Sequence, residues 1–320
     1  MAVEVTLLSL GQGAGCDDGC DGGCGGQADP TGGVRVPVLA CRDALRAGGA
    51  EVRIVEANSD REIDEVLDAT VLRGAPVTAG APAPGGDAPG RLVVVGNGDG
   101  EPRAVVRRLL RRVAPPPSRR PADLPPGRTV PDLPPIGLLP LDPTTDGLIR
   151  RLGLPGDPAE IAAAVLADRA TRFDLLRTDS GSVTLHGSLL GGADENGRPV
   201  PWRGVVNVDD AVLSDGSDPL LACAVVNAAG PGYAELDGLP LVTDPDPADG
   251  ELDVAVAVLG YAGRRWLGNR RTRIEVRRAR GRAVAVTPSA DVPYTDDGVT
   301  GSLTRKRTWW MEPSAWAAYR

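Results

Sequence analysis

Two residue types that carry much of enzyme chemistry are nearly missing. His186 is the one histidine and Lys306 the one lysine. Paired-histidine acid–base chemistry is therefore excluded, and a lysine base or Schiff base is excluded unless Lys306 supplies it. No apolar run approaches the roughly 18 residues that a membrane-spanning helix needs. The start, Met1-Ala2-Val3-Glu4, has no basic residue, and its apolar stretch runs only from Val3 to Leu10, so no export signal is expected. The net charge of −8 removes bulk attraction to polyanions, and nucleic acid is not an expected partner. Five cysteines, an odd number without an export signal, argue against a disulfide framework and for a reducing cytosol.

What is present is enough for a sizeable core. Of 320 residues 42% are apolar and 24% charged, a globular balance that allows roughly two domains. Cys16, Cys20 and Cys24 form C-x3-C-x3-C within a Gly/Asp-rich insertion over 11–33. Thiolates on such a loop suit zinc or an iron–sulfur cluster, with Cys41 as the required fourth ligand. The spacing matches neither the C-x2-C zinc pairs nor the common cluster patterns, and a low-complexity insertion with exposed thiols is the other reading.

The first part of the chain alternates strand and helix. Val3 to Leu10, Glu51 to Ala57, Arg91 to Gly96 and Ile136 to Leu141 read as strands. Helices are expected over Val36 to Ala47, from the Asn58-Ser59-Asp60 caps through Asp68, after Pro102, and from Asp157-Pro158 through Ala167. In the third of these, Val105, Val106, Leu109, Leu110 and Val113 share one face, and Arg107, Arg108, Arg111 and Arg112 the other. This order predicts a parallel sheet with helices on its faces. A Pro- and Arg-rich connection covers 114–135. From Phe173 on, short alternating runs recur: Ser182 to Leu190, Arg203 to Val208, Leu220 to Asn227, Glu251 to Leu259, Thr272 to Arg278 and Ala283 to Thr287. They predict an all-β second half, read as a sandwich.

The buried strand at Arg91 to Gly96 runs into Asn97-Gly98-Asp99-Gly100-Glu101 and then a helix. Such a turn aims backbone N–H groups and a helix N-terminus at one point, which is a phosphate site by geometry. By itself Asp99 could equally be a turn aspartate. The chain resembles the diacylglycerol kinase catalytic-domain family, bacterial lipid kinases related to sphingosine kinases. Val93 to Glu101 looks like the family's strand and GGDGT loop. Gly137 to Gly147 and then Leu152-Gly153-Leu154-Pro155 look like its LP-GTGND-LGLP segment. Val226-Asn227 and then Ala248 to Val254 look like a strand-end Asn followed by DGxLDV, a pattern that argues against NAD kinase, which shares the GGDG loop. Asp296-Asp297-Gly298 falls where the family has a late DGE.

The resemblance implies an α/β nucleotide-binding domain over 1–155 and a β-sandwich domain over 156–305. A segment over 306–320 would return to the first domain, and the site would lie in the cleft between the two domains. It implies ATP and magnesium as cofactors and a lipid hydroxyl as acceptor. Gly96, Gly98, Asp99, Gly100, Thr144 and Thr145 would contact nucleotide, with Asp99 orienting it and its metal. Asp249 and Asp253 would hold magnesium, and Asp297 would act as general base. Asp249-Gly250 also reads as a plain turn, and Asp-Asp-Gly as a hairpin signal.

This chain departs from the pattern at the phosphate end. The family threonine after GDG is Glu101, Pro143 replaces a glycine, Asp146 adds another negative charge, and the late DGE is Asp297-Gly298-Val299. A carboxylate about 4 Å from a phosphate costs about 4 kcal/mol at an effective dielectric near 20, unless magnesium bridges the two. Residues 264–282 are rich in arginine, and Trp309, Trp310, Trp316 and Tyr319 lie close to the C-terminus. Together they suit an anionic membrane surface, but solvated strand faces and a terminal segment docked through its tryptophans are the stronger reading. The expectation is a cytoplasmic, ATP-dependent lipid kinase, peripheral at the inner membrane face. The alternatives are a catalytically impaired kinase-fold protein with a binding or regulatory role, or metal binding through the Cys loop.

Overall fold

The computed structural model describes residues 2–11, 35–73, 89–144, 147–228, 234–236, 238–262 and 271–320. Two compact units emerge, Met1–Leu175 with Glu312–Arg320, and Leu176–Met311.

In the first unit β1 (Glu4–Leu10), β2 (Glu51–Ala57), β3 (Arg91–Gly96) and β4 (Ile136–Pro140) form a parallel sheet in the order β2-β1-β3-β4. β1 and β3 are apolar on both sides because both faces are covered. Val5, Leu7, Val93 and Val95 meet α1 (Val36–Ala47) and α5 (Pro158–Leu166) in one core, through Val38, Cys41, Leu45, Ile161 and Val165. The helix at Pro158–Leu166 thus packs inside this unit. The alternate residues Leu92 and Val94 are also buried. α2 (Asp60–Ala69) and α3 (Gly100–Val113) pack on one another, and α3 packs on β3. β5 (Ala170–Thr178) carries the chain from the first unit into the second.

The arginine face of α3 does not point simply to solvent. α2 places Asp60, Asp64 and Asp68 one turn apart, and these acids meet Arg107, Arg108 and Arg112. Arg107 is 1% exposed, with its guanidinium 3.4 Å from Asp60. The 114–135 connection is fastened near its end by the fully buried Glu312, whose carboxylate accepts the Thr129 N–H (2.6 Å) and hydroxyl.

The second unit is built of antiparallel strands. One sheet orders Ala211–Asp215, Gly204–Val208, Ala283–Pro288 and the start of the last strand, Arg307–Tyr319. The other orders Arg271–Gly281, Leu252–Ala262, Leu220–Val226, Gly187–Leu190, Val292–Asp296 and Val299–Leu303. Val206, Val284, Val286 and Trp309 from the first share a core with Leu190, Cys223, Val225, Val254 and Val256 from the second.

The C-terminal aromatic residues are packing groups. Trp309 and Trp316 are 0% and 1% exposed. Trp316 lies 5.3 Å from the Phe173 ring and donates its indole N–H to the Asp174 carbonyl at 2.9 Å. Tyr319 belongs to the core of the first unit, and Arg177 lies over Trp310. Among the described residues no helix is long and apolar enough to cross a membrane.

Candidate functional site

β3 ends at Gly96, whose carbonyl accepts the Leu141 N–H at 2.9 Å, joining the ends of β3 and β4. The chain then turns through Asn97, Gly98 and Asp99 into α3. Glu101, in the first turn of α3, does not extend into solvent. Its carboxylate curls back over the turn and accepts the Asn97 N–H at 3.1 Å. The fit is close: a Cβ on Gly96 would lie 3.1–3.2 Å from Glu101 side-chain atoms, so Gly96 is the residue that lets the carboxylate settle there. On the other side Arg35 donates to the Asn97 side-chain carbonyl at 2.9 Å. A negative group at a helix N-terminus is favoured by the same partial charge that would attract a phosphate. Here the chain supplies that group itself.

Asp99 is committed as well. Its Oδ1 accepts the Leu148 N–H at 2.8 Å, at the start of the short helix α4 (Leu148–Arg151). Thr144 is turned onto Asp142: its N–H and hydroxyl both donate to Asp142 Oδ1, at 2.9 and 2.6 Å. Thr145 and Asp146 lie outside the described residues. A cavity of ≈ 100 Å³ remains beside the turn, lined by Asn97, Asp99, Pro143, Ile149, Arg150 and Leu154 among others. It sits at the carboxyl ends of β3 and β4, where open α/β sheets bind ligands. Its volume is below the roughly 300–1,000 Å³ of ordinary small-molecule sites. Around the turn the Asn97 N–H, Asp99 and Thr144 are each engaged by groups of the chain itself.

In the second unit Asp297 is 2% exposed. Its carboxylate accepts three consecutive backbone N–H groups: Leu185 (2.6 Å), His186 (2.9 Å) and Gly187 (3.0 Å). Asp297 and Gly298 have φ of 48° and 78° and form the two-residue turn between Val292–Asp296 and Val299–Leu303. Primed hairpin turns need such angles, and Asp tolerates them. The hairpin reading of Asp-Asp-Gly therefore describes the geometry, and the carboxylate is directed inward onto backbone. His186 is buried too, at 3%.

Asp249 and Asp253 converge on Arg280. Asp249 Oδ2 takes one guanidinium nitrogen while its Oδ1 accepts the Glu251 N–H at 2.9 Å, and Asp253 lies 3.4 Å from Arg280 Nε. Burial pushes the Asp253 carboxyl up from its ordinary value, against the pull of Arg280. Among the described residues no group of three His, Cys, Asp or Glu side chains is arranged to hold a metal ion. Cys16, Cys20 and Cys24 lie outside the described residues. Cys41 is buried in the α1 core, and burial pushes its thiol up to about 11.

The sequence pointed to the turn but not to its partners. That Leu148 receives Asp99, or that Arg280 serves the acids near Asp249, depends on contacts far apart in the chain. Asp253 and Arg280 lie directly opposite across neighbouring strands, a relation visible only with the register.

No protein-family model matches the chain, and no curated protein matches it by sequence. Its fold is matched by solved structures. A crystal structure of a diacylglycerol kinase from Bacillus anthracis strain Sterne is similar at a TM-score of 0.58 and 15% identity, over 100% of this chain and 97% of that one. Two structures of a candidate diacylglycerol kinase from the same strain give a TM-score of 0.61 and 15% identity, over 100% of this chain and 98% of theirs. The chain has the fold of these proteins along its whole length.

Proposed function

We propose that the protein is a kinase-fold protein that has lost phosphoryl transfer and serves a binding or regulatory role. The observation that carries this reading is the Glu101 carboxylate on the Asn97 N–H. Phosphoryl transfer depends on positioning and on charge neutralisation around the phosphates. A carboxylate fixed at that position withdraws a donor and adds repulsion of about 4 kcal/mol at 4 Å, comparable to half the free energy of micromolar binding. The other candidate groups support the same reading. Asp99 caps α4, Thr144 serves Asp142, Asp249 and Asp253 serve Arg280, and Asp297 holds three amides. Each of these groups is engaged by the chain itself.

A second reading is favoured by the fold match over the whole chain and by the cavity at the ends of β3 and β4. It is an ATP-dependent lipid kinase of the diacylglycerol kinase type, using magnesium at the cytoplasmic membrane face. In this reading Glu101 swings away from the turn when nucleotide enters. The deciding experiment incubates the purified protein with γ-labelled ATP, magnesium and vesicles containing diacylglycerol. We expect no label in the lipid. Label above background, lost in Asp99→Asn, would replace the first reading with the second.

A further inference from the structure

The acid cluster of the second unit surrounds a cation that the chain itself provides. Strands Leu252–Ala262 and Arg271–Gly281 are antiparallel neighbours, and their register sets Asp253 opposite Arg280. From there the guanidinium reaches three carboxylates: Asp249 through Nη2, Glu251 through Nη1 at 3.5 Å, and Asp253 through Nε at 3.4 Å. Asp249 is fixed further by the Glu251 N–H on its Oδ1. Asp253 is 17% exposed and Asp249 26%, so neither repulsion nor attraction within the group is fully screened. A planar fork with donors in several directions suits such a convergence better than a point charge.

The resemblance to lipid kinases implies magnesium at Asp249 and Asp253. The residues do not fit it. A small divalent ion needs carboxylate oxygens free to approach to about 2.1 Å in octahedral geometry. Here the oxygens of Asp249 are divided between a backbone N–H and Arg280, and Arg280 occupies the space on which the acids converge. We infer that Arg280 is the resident counter-ion of this cluster, standing where a divalent cation would otherwise sit, and that the second unit folds without metal. The inference is independent of the turn in the first unit and holds whether or not that turn accepts a nucleotide.

The test is thermal unfolding of the full chain in EDTA and in millimolar magnesium, manganese or calcium. Manganese binding to the folded protein is followed in parallel by its paramagnetic resonance signal. The wild type should show one midpoint in all four conditions and bind no manganese. Arg280→Gln should lower the midpoint by roughly 2–4 °C in EDTA. It should also bind manganese, and divalent ions should restore at least half of the lost midpoint. Asp253→Asn added to Arg280→Gln should abolish the restoration and, by removing a repelling charge, recover part of the midpoint without metal. If Arg280→Gln does not accumulate folded, Arg280→Lys takes its place, with a smaller loss and no manganese binding. Saturable manganese binding to the wild type, abolished by Asp249→Asn, would overturn the inference. So would an unchanged midpoint in Arg280→Gln, or a lowered midpoint that no divalent ion restores.

Discussion

The carboxylate of Asp99 sits over Gly147: a Cβ built on Gly147 would lie 2.6 Å from Asp99 Oδ1, the oxygen that accepts the Leu148 N–H at 2.8 Å. The contact joins the turn after β3 to the start of α4, and it makes the two residues interdependent. Asp99→Ala removes a helix cap and should cost about 1 kcal/mol. Gly147→Ala should be costly in the wild type and much cheaper in the Asp99→Ala background, because the clash has been removed. A double-mutant cycle by urea unfolding reads this as a coupling of at least about 0.5 kcal/mol. Strict additivity would mean that Asp99 is not committed to α4.

Asp297 should behave as a structural residue. Asp297→Ala leaves three buried N–H groups without their acceptor, at about 1–3 kcal/mol for each unsatisfied group, reduced by whatever water enters. The variant should lose several kcal/mol of stability by denaturant unfolding, or fail to accumulate as folded protein. Wild-type stability in Asp297→Ala would return the carboxylate to the list of groups available for chemistry.

The acid ladder of α2 should be graded by the burial of its partners. Asp60 faces Arg107, 1% exposed, whereas Asp68 faces Arg112 with both side chains near half exposed. Asp60→Asn should therefore cost about 1–3 kcal/mol and Asp68→Asn less than about 1 kcal/mol. Equal losses in denaturant unfolding would contradict the difference that burial is expected to make.

Asp253 gives a dependence on pH. Burial, the largest influence, raises its folded pKa, and Arg280 opposes the shift. A raised carboxyl contributes fully below the unfolded value of about 3.9, and the contribution is lost as pH rises through the folded value. Asp253→Asn escapes that loss, so wild-type stability relative to the variant should fall as pH rises from about 4. A relative stability that grows with pH would mean that the pull of Arg280 outweighs burial.

Periodicity made the α/β half legible. Val5 and Leu7, Val93 and Val95, and the spacing of Val38, Cys41 and Leu45 place each segment on the sheet, and Ser59 and Asp157 cap helices as their positions predict. The arginine face of α3 was legible but its partners were not, because the answering charges, Asp60, Asp64 and Asp68, lie some forty residues earlier. Tryptophans near the C-terminus read as docking groups or, less favoured, as a membrane-facing group, and their burial agrees with docking. The runs Trp309 to Met311 and Ala315 to Tyr319 show an apolar segment, but not which core it joins. At the candidate site, residue identities were legible and their allegiances were not. Glu101 was visible as an unwelcome charge, but its bond to Asn97 depends on how tightly the turn closes on Gly96.

The central claim is that the turn after β3 already carries its anion. Calorimetric titration of the wild type with Mg·ATP tests it most directly. The account predicts no saturable heat at millimolar nucleotide. Saturable binding in the micromolar range would contradict it, because Glu101 would then have yielded its place on the Asn97 N–H to a phosphate.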